Sequence, residues 1–118
     1  MHNYRRLRVY ELAEAIAIET YRLTEGLPGN ERWGLVQQMN RSAVSIVSNI
    51  AEGAGRGDDR DFARFLRIAR GFSCELEAQA NLCVGLGLLS KSDVAELRDA
   101  VDRIQASITK LNRRLIAT

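Results

Sequence analysis

Five arginines, Arg56, Arg60, Arg64, Arg67 and Arg70, fall within one fifteen-residue stretch of a chain whose only lysines are Lys91 and Lys110. A guanidinium is a planar fork of donors that matches phosphate oxygens, so the chemistry on offer is recognition of an anion rather than a reaction. Asp58, Asp59 and Asp61 are interleaved with the arginines and leave a local excess of two positive charges. Two readings stay open: a solvated face laced with ion pairs, or a patch that a cyclic oligomer repeats until its summed field attracts nucleic acid. The arginine bias is equally what GC-rich coding produces, and a net charge of +2 is small for a nucleic-acid-binding domain. Lys110, Arg113 and Arg114 either extend the patch or complement the end of a helix dipole.

The groups that perform covalent chemistry are sparse. His2 is the only histidine, at an amino end expected to fray, so Ser–His and Cys–His catalysis are not expected. Cys74 and Cys83 stand nine residues apart and so on opposite faces of one helix, where they read as reduced packing residues. With one histidine no metal-ligand cluster assembles within a chain. The run Gly53-Ala54-Gly55-Arg56-Gly57 lacks both the preceding strand and the Gly-Lys-Ser/Thr of a phosphate loop, and reads as a turn between helices. Glu52 with Asp58, Asp59 or Asp61 has no spacing specific to magnesium or acid–base work, and helix capping accounts for the aspartates. No catalytic residue, metal or cofactor is expected.

The elements that position these residues follow from periodicity. With 118 residues, 46% of them hydrophobic, and one proline, the chain has room for one domain of long helices. Val94, Leu97, Val101, Ile104, Ile108, Leu111 and Leu115 alternate spacings of three and four behind Ser90 and Asp93, a helix with a capped start. Phe62, Phe65, Leu66, Ala69, Phe72, Leu76, Cys83 and Leu86 share a side between Asp58 and Gly87. Trp33, Val36, Met39, Ala43, Val47 and Ile50 form an apolar stripe closed by Gly53, and Val9, Leu12, Ile16 and Leu23 another, ended by the turn at Pro28 and Gly29. The fold expected is all-α, an antiparallel up-and-down four-helix bundle occupying residues 1–118 as a single domain, with helices at about 8–26, 31–52, 58–86 and 91–116. No run of eighteen apolar residues and no cleavable leader pattern occurs, so no membrane partner and a cytoplasmic location are expected.

Two faces are not explained by a core. Opposite the second helix's stripe lie Gln37, Gln38, Arg41, Ser42, Ser45, Ser48, Asn49 and Glu52, rich in residues that helix surfaces disfavour. Either they fit a tight crossing inside the bundle or they meet another subunit or ligand. On the third helix the line of Arg60, Arg64 and Arg67 continues through Gly71, Cys74, Ala78 and Gly85, a strip of small residues suited to close approach by a second helix.

The stretch from Gly34 to Gly53, ending Ser48-Asn49-Ile50-Ala51-Glu52-Gly53, resembles the central motif of the four-helix bundle proteins encoded in intervening sequences of bacterial 23S ribosomal RNA genes, often labelled the S23 ribosomal protein family. Phe62, Phe65, Leu66, Ile68-Ala69-Arg70-Gly71, Glu75-Leu76-Glu77, Tyr4-Arg5-Arg6-Leu7 and the Pro28 to Glu31 turn extend the likeness over about positions 4 to 90. The sequence departs from it at Asn40, where arginine or lysine is common, at Val47, where proline is frequent, and at Phe72-Ser73. The loss of charge at Asn40 weakens the case for RNA on the second helix.

The resemblance implies a homo-oligomer, commonly a pentamer, related in architecture to accessory proteins of diversity-generating retroelements, which bind reverse transcriptase and nucleic acid. It carries over no catalytic residues. The expectation is a non-enzymatic scaffold that binds structured RNA or a nucleic-acid-processing protein through Arg41, Arg56, Arg60, Arg64 and Arg67. Gln38, Ser45, Asn49, Glu52, Gly53, Gly71, Cys74 and Ala78 are the expected motif and interface positions. The alternative is a protein-interaction module in which Gln38 to Glu52 grip a helical partner without nucleic acid.

Overall fold

Ser90 starts the last helix by a reciprocal pair of bonds: its hydroxyl accepts from the Asp93 N–H at 3.0 Å, and the Asp93 carboxylate accepts from the Ser90 N–H at 2.8 Å. Both satisfy donors that a helix start leaves orphaned. The helix then runs Lys91–Ile116 (α4), with Val94, Leu97, Val101, Ile104 and Ile108 all buried. The computed structural model describes residues 2–117 and places three more helices against it: α1 Arg8–Glu25, α2 Gln37–Gly55 and α3 Asp59–Gly85.

Each helix packs on two neighbours, α1 on α2 and α4, and α3 on α2 and α4. Short connections make successive helices antiparallel, and the result is the expected up-and-down four-helix bundle, a rod of 48 × 22 × 19 Å. Ile16, Met39, Ile46, Ile50, Phe62, Leu66, Leu76 and Leu97 fill its axis. No described helix is long and apolar enough to cross a membrane.

α3 ends in a Schellman arrangement, in which Leu88 N–H donates to Cys83 O at 2.9 Å and Gly87 N–H to Val84 O at 3.0 Å. Gly87 takes φ +76°, a conformation that favours glycine. Buried hydroxyls are satisfied locally, Thr20 donating to Ile16 O at 2.7 Å and Thr24 to the Asn40 side chain at 3.0 Å.

The start of the second helix departs from expectation. Gly29–Glu31 form a 3-10 turn and Arg32–Val36 a π turn, with Gly34 (φ −106°, ψ −109°) outside helical space. These windings break the 100° phase, so Trp33, expected in the apolar stripe, is 78% exposed, while Val36 and Val47 are half-buried. Downstream, the phase carries Ser42 inward, where it is buried rather than on the outer polar face. Leu86, expected on the core side of α3, is 56% exposed because it is the cap residue beyond the helix's last turn. α2 also does not stop at Gly53 but continues to Gly55, for a reason given below.

Candidate nucleic-acid interface

The arginine cluster is built on the turn between α2 and α3. Arg56 closes α2, its N–H donating to Gly53 O at 3.3 Å, and Gly57 reverses the chain with φ +81°. Asp58 then caps α3 by accepting from the Arg60 N–H at 2.9 Å. Asp59 and Asp61 follow in the first turn, where negative charge suits the positive end of the helix. The turn holds its register because Gly53 lets α2 and α3 touch. A Cβ at position 53 would lie 2.6 Å from Phe65 Cβ and 3.0 Å from Phe62 Cδ1. Gly53 is therefore a crossing residue and not a stop.

Asp61 engages two of the arginines, Arg56 Nε at 3.2 Å and Arg64 Nη2 at 2.9 Å. The same two guanidinium groups lie over the Phe65 ring, 5.0 Å and 4.6 Å from its centroid, a cation–π arrangement that fixes their directions. Arg60, Arg67 and Arg70 are exposed and form no ion pair among the described residues. A shallow groove of about 340 Å³ runs between Asp58, Arg60, Asp61, Arg64 and Arg67. Arg41 is not part of this assembly: it lies fifteen residues back along α2, about 22 Å away at 1.5 Å per residue.

The amino end is docked rather than frayed. His2 N–H donates to Ala54 O at 2.9 Å, its ring stands 3.0 Å from the Asp59 carboxylate, and it packs on Phe62 at 5.1 Å between centroids. The His2–Asp59 contact holds the amino-terminal strap against the start of α3. The sequence shows no trace of this contact, which joins positions 57 residues apart.

With Asp58 on the Arg60 backbone N–H, Asp59 on His2 and Asp61 on Arg56 and Arg64, none of the three aspartates pairs with the guanidinium group of Arg60, Arg67 or Arg70. Arg70 also shares a groove of about 610 Å³ with Asp102, Lys110 and Arg113 of α4, which sets two of the carboxyl-terminal cations, though not Arg114, beside the patch together with a carboxylate. The half of the rod that contains the α2–α3 turn, residues 2–16, 47–72 and 104–117, carries eleven basic and six acidic residues. The other half carries six basic and nine acidic.

The remaining positions divide differently. On α2, Gln38, Arg41, Ser48 and Glu52 are exposed and Ser45 and Asn49 half-buried, so only Ser42 of that face fits a crossing inside the bundle. Asn49 turns inward on its own helix, its amide donating to Ser45 O at 2.7 Å. On α3, Gly71, Cys74, Ala78 and Gly85 form an outward strip, and a Cβ at Gly71 or Gly85 would meet nothing within 4 Å. Cys74 is exposed, not packed, and accepts from Gln105 Nε2 at 3.3 Å. Cys83 is buried beside Met39 Sδ at 3.7 Å, and burial pushes its thiol above the ordinary value. No group of three metal-ligating side chains occurs among the described residues.

By architecture this is an antiparallel four-helix bundle protein with one strongly basic end. The chain matches the model of the 23S rRNA-intervening sequence protein family over residues 5–110, and it belongs to that family. No curated protein matches it.

Proposed function

We propose that this protein is a non-enzymatic, cytoplasmic homo-oligomer, a pentamer in the form the resemblance implies, that binds structured RNA through the arginines of the α2–α3 turn. One observation carries the reading. Every aspartate of the turn is occupied by a cap, by His2 or by the Arg56 and Arg64 pair, which leaves Arg60 and Arg67 to an external anion. An ion pair with an exposed partner is worth under about 1 kcal/mol, so even Arg56 and Arg64 exchange readily onto phosphate.

A second reading has its own support. The α3 strip of Gly71, Cys74 and Ala78 and the α2 positions Gln38, Arg41, Ser48 and Glu52 are exposed, and a Cβ at Gly71 would meet nothing within 4 Å, as subunit seams or a grip on a protein partner require. The two readings separate in one experiment: mass by light scattering with and without a structured ribosomal RNA fragment, at low and moderate salt. The RNA scaffold predicts a closed oligomer that takes up RNA at low salt and releases it as salt rises. An oligomer indifferent to RNA leaves only the protein-interaction module, and a monomer removes both.

A further inference from the structure

Where α1 begins and α4 ends, the chain leaves a groove of about 220 Å³ separate from the α2–α3 turn. Val9 and Leu111 give it an apolar wall, and its polar lining is Arg8, Ser107, Lys110 and Arg114. Lys110 and Arg114 are one turn apart on α4, a like-charge spacing that disfavours a helix, and neither has an ion pair among the described residues. The negative end of the α4 dipole accounts for Arg113 and Arg114 in its last turn, but not for Lys110 further in, nor for Arg8 beside the positive end of α1. Arg8 has a carboxylate neighbour in Glu11, whose oxygen stands 3.6 Å from its guanidinium with both side chains 60% exposed.

Three cations and a hydroxyl, drawn from two helices around a space of this size, match the charge and the several-sided acceptor geometry of a tetrahedral oxyanion. We propose that this groove binds one phosphate group through Arg8, Ser107, Lys110 and Arg114, as a second anchoring point at the basic end of the rod. The shared chemistry is the phosphate: inorganic phosphate and a nucleic-acid backbone present it alike, and only the second source rests on the RNA-binding reading above. Glu11 acts as a competitor for Arg8 and sets the affinity from below.

The test is a titration of the full chain with inorganic phosphate at low salt, followed by backbone amide NMR. Saturable shifts are expected at Val9, Ser107, Lys110 and Leu111, abolished in Lys110→Ala/Arg114→Ala, retained in Arg60→Ala/Arg67→Ala, and reached at lower phosphate in Glu11→Gln. The substituted side chains, at positions 11, 60, 67, 110 and 114, are all exposed, so unchanged circular dichroism is the folding control. In parallel, the slope of log affinity for a structured RNA against log salt should fall by about 0.9 in Lys110→Ala/Arg114→Ala, one phosphate contact's worth. Phosphate shifts spread evenly over the exposed arginines, or unaffected by the α4 variant, overturn the groove. Groove shifts in a protein that takes up no RNA keep the groove, with free phosphate as its ligand, and overturn the RNA-binding reading instead.

Discussion

Gly53 of α2 and Phe65 of α3 approach so closely that a side chain on the first would occupy space the second already holds, 2.6 Å separating the two Cβ positions. Gly53→Ala gains about 1 kcal/mol of helix propensity and loses about 1–3 kcal/mol to overpacking, so a net destabilisation of up to about 2 kcal/mol is expected. Urea unfolding should show a lower midpoint with an unchanged slope. Gly55→Ala, where a Cβ meets nothing within 4 Å, should raise the midpoint instead. Equal responses at the two positions would remove the crossing argument.

Asp61→Asn frees Arg56 and Arg64 from their shared carboxylate. Stability should change by about 1 kcal/mol or less, because Asp61 is only half-buried and both arginines are exposed. Affinity for structured RNA at low salt should rise and its salt dependence steepen. Weaker binding in this variant would mean that Asp61 holds the two guanidinium groups in the productive geometry.

Ser90→Ala should cost about 1 kcal/mol through loss of the α4 cap, visible in thermal or urea unfolding. The same cap makes stability depend on pH. The Ser90 backbone N–H, and then its hydroxyl, hold the Asp93 carboxyl below its ordinary value, against a smaller desolvation effect. A carboxyl depressed in the folded state contributes stability above its unfolded value of about 3.9 and loses it as pH falls through the folded value. Asp93→Asn should flatten that acid limb, and an unaltered limb would place the acid sensitivity elsewhere.

The two thiols should react differently. Cys83 is fully buried with its thiol pushed above the ordinary value, so a disulfide-exchange reagent at neutral pH should reach it only on unfolding. Cys74 lies exposed in the small-residue strip and should react quickly in the dissociated chain. If that strip is the subunit seam, its labelling slows as protein concentration rises. A rate independent of concentration would move the seam elsewhere.

How much of this was legible depended on whether the signal was periodic. The α4 stripe, the Ser90 cap and the reversal at Gly87 all rest on residues within a turn or two of each other, where spacing alone fixes the geometry. Periodicity misplaces Trp33 because 3-10 and π windings ahead of α2 shift the phase, and the local sequence reads as helix in either case. Gly53 reads as a stop because glycine has the same letter whether it ends a helix or admits a neighbour; only the position of Phe65 distinguishes them. The Arg56 to Arg67 cluster was visible, but the division of its aspartates depended on His2, which nothing in the sequence connects to Asp59. Charge groups Arg41 with the cluster, and its place fifteen residues back along α2 sets it apart.

The uneven charge of the rod alters what its formal +2 means. At physiological ionic strength the screening length is about 8 Å, several times shorter than the 48 Å that spans the two ends. An approaching polyanion therefore never senses the molecular average. It meets a tip with five more positive than negative side chains, while the acidic far end is electrically out of earshot. A chain that titrates as nearly neutral can in this way behave, at one end only, as a strong cation.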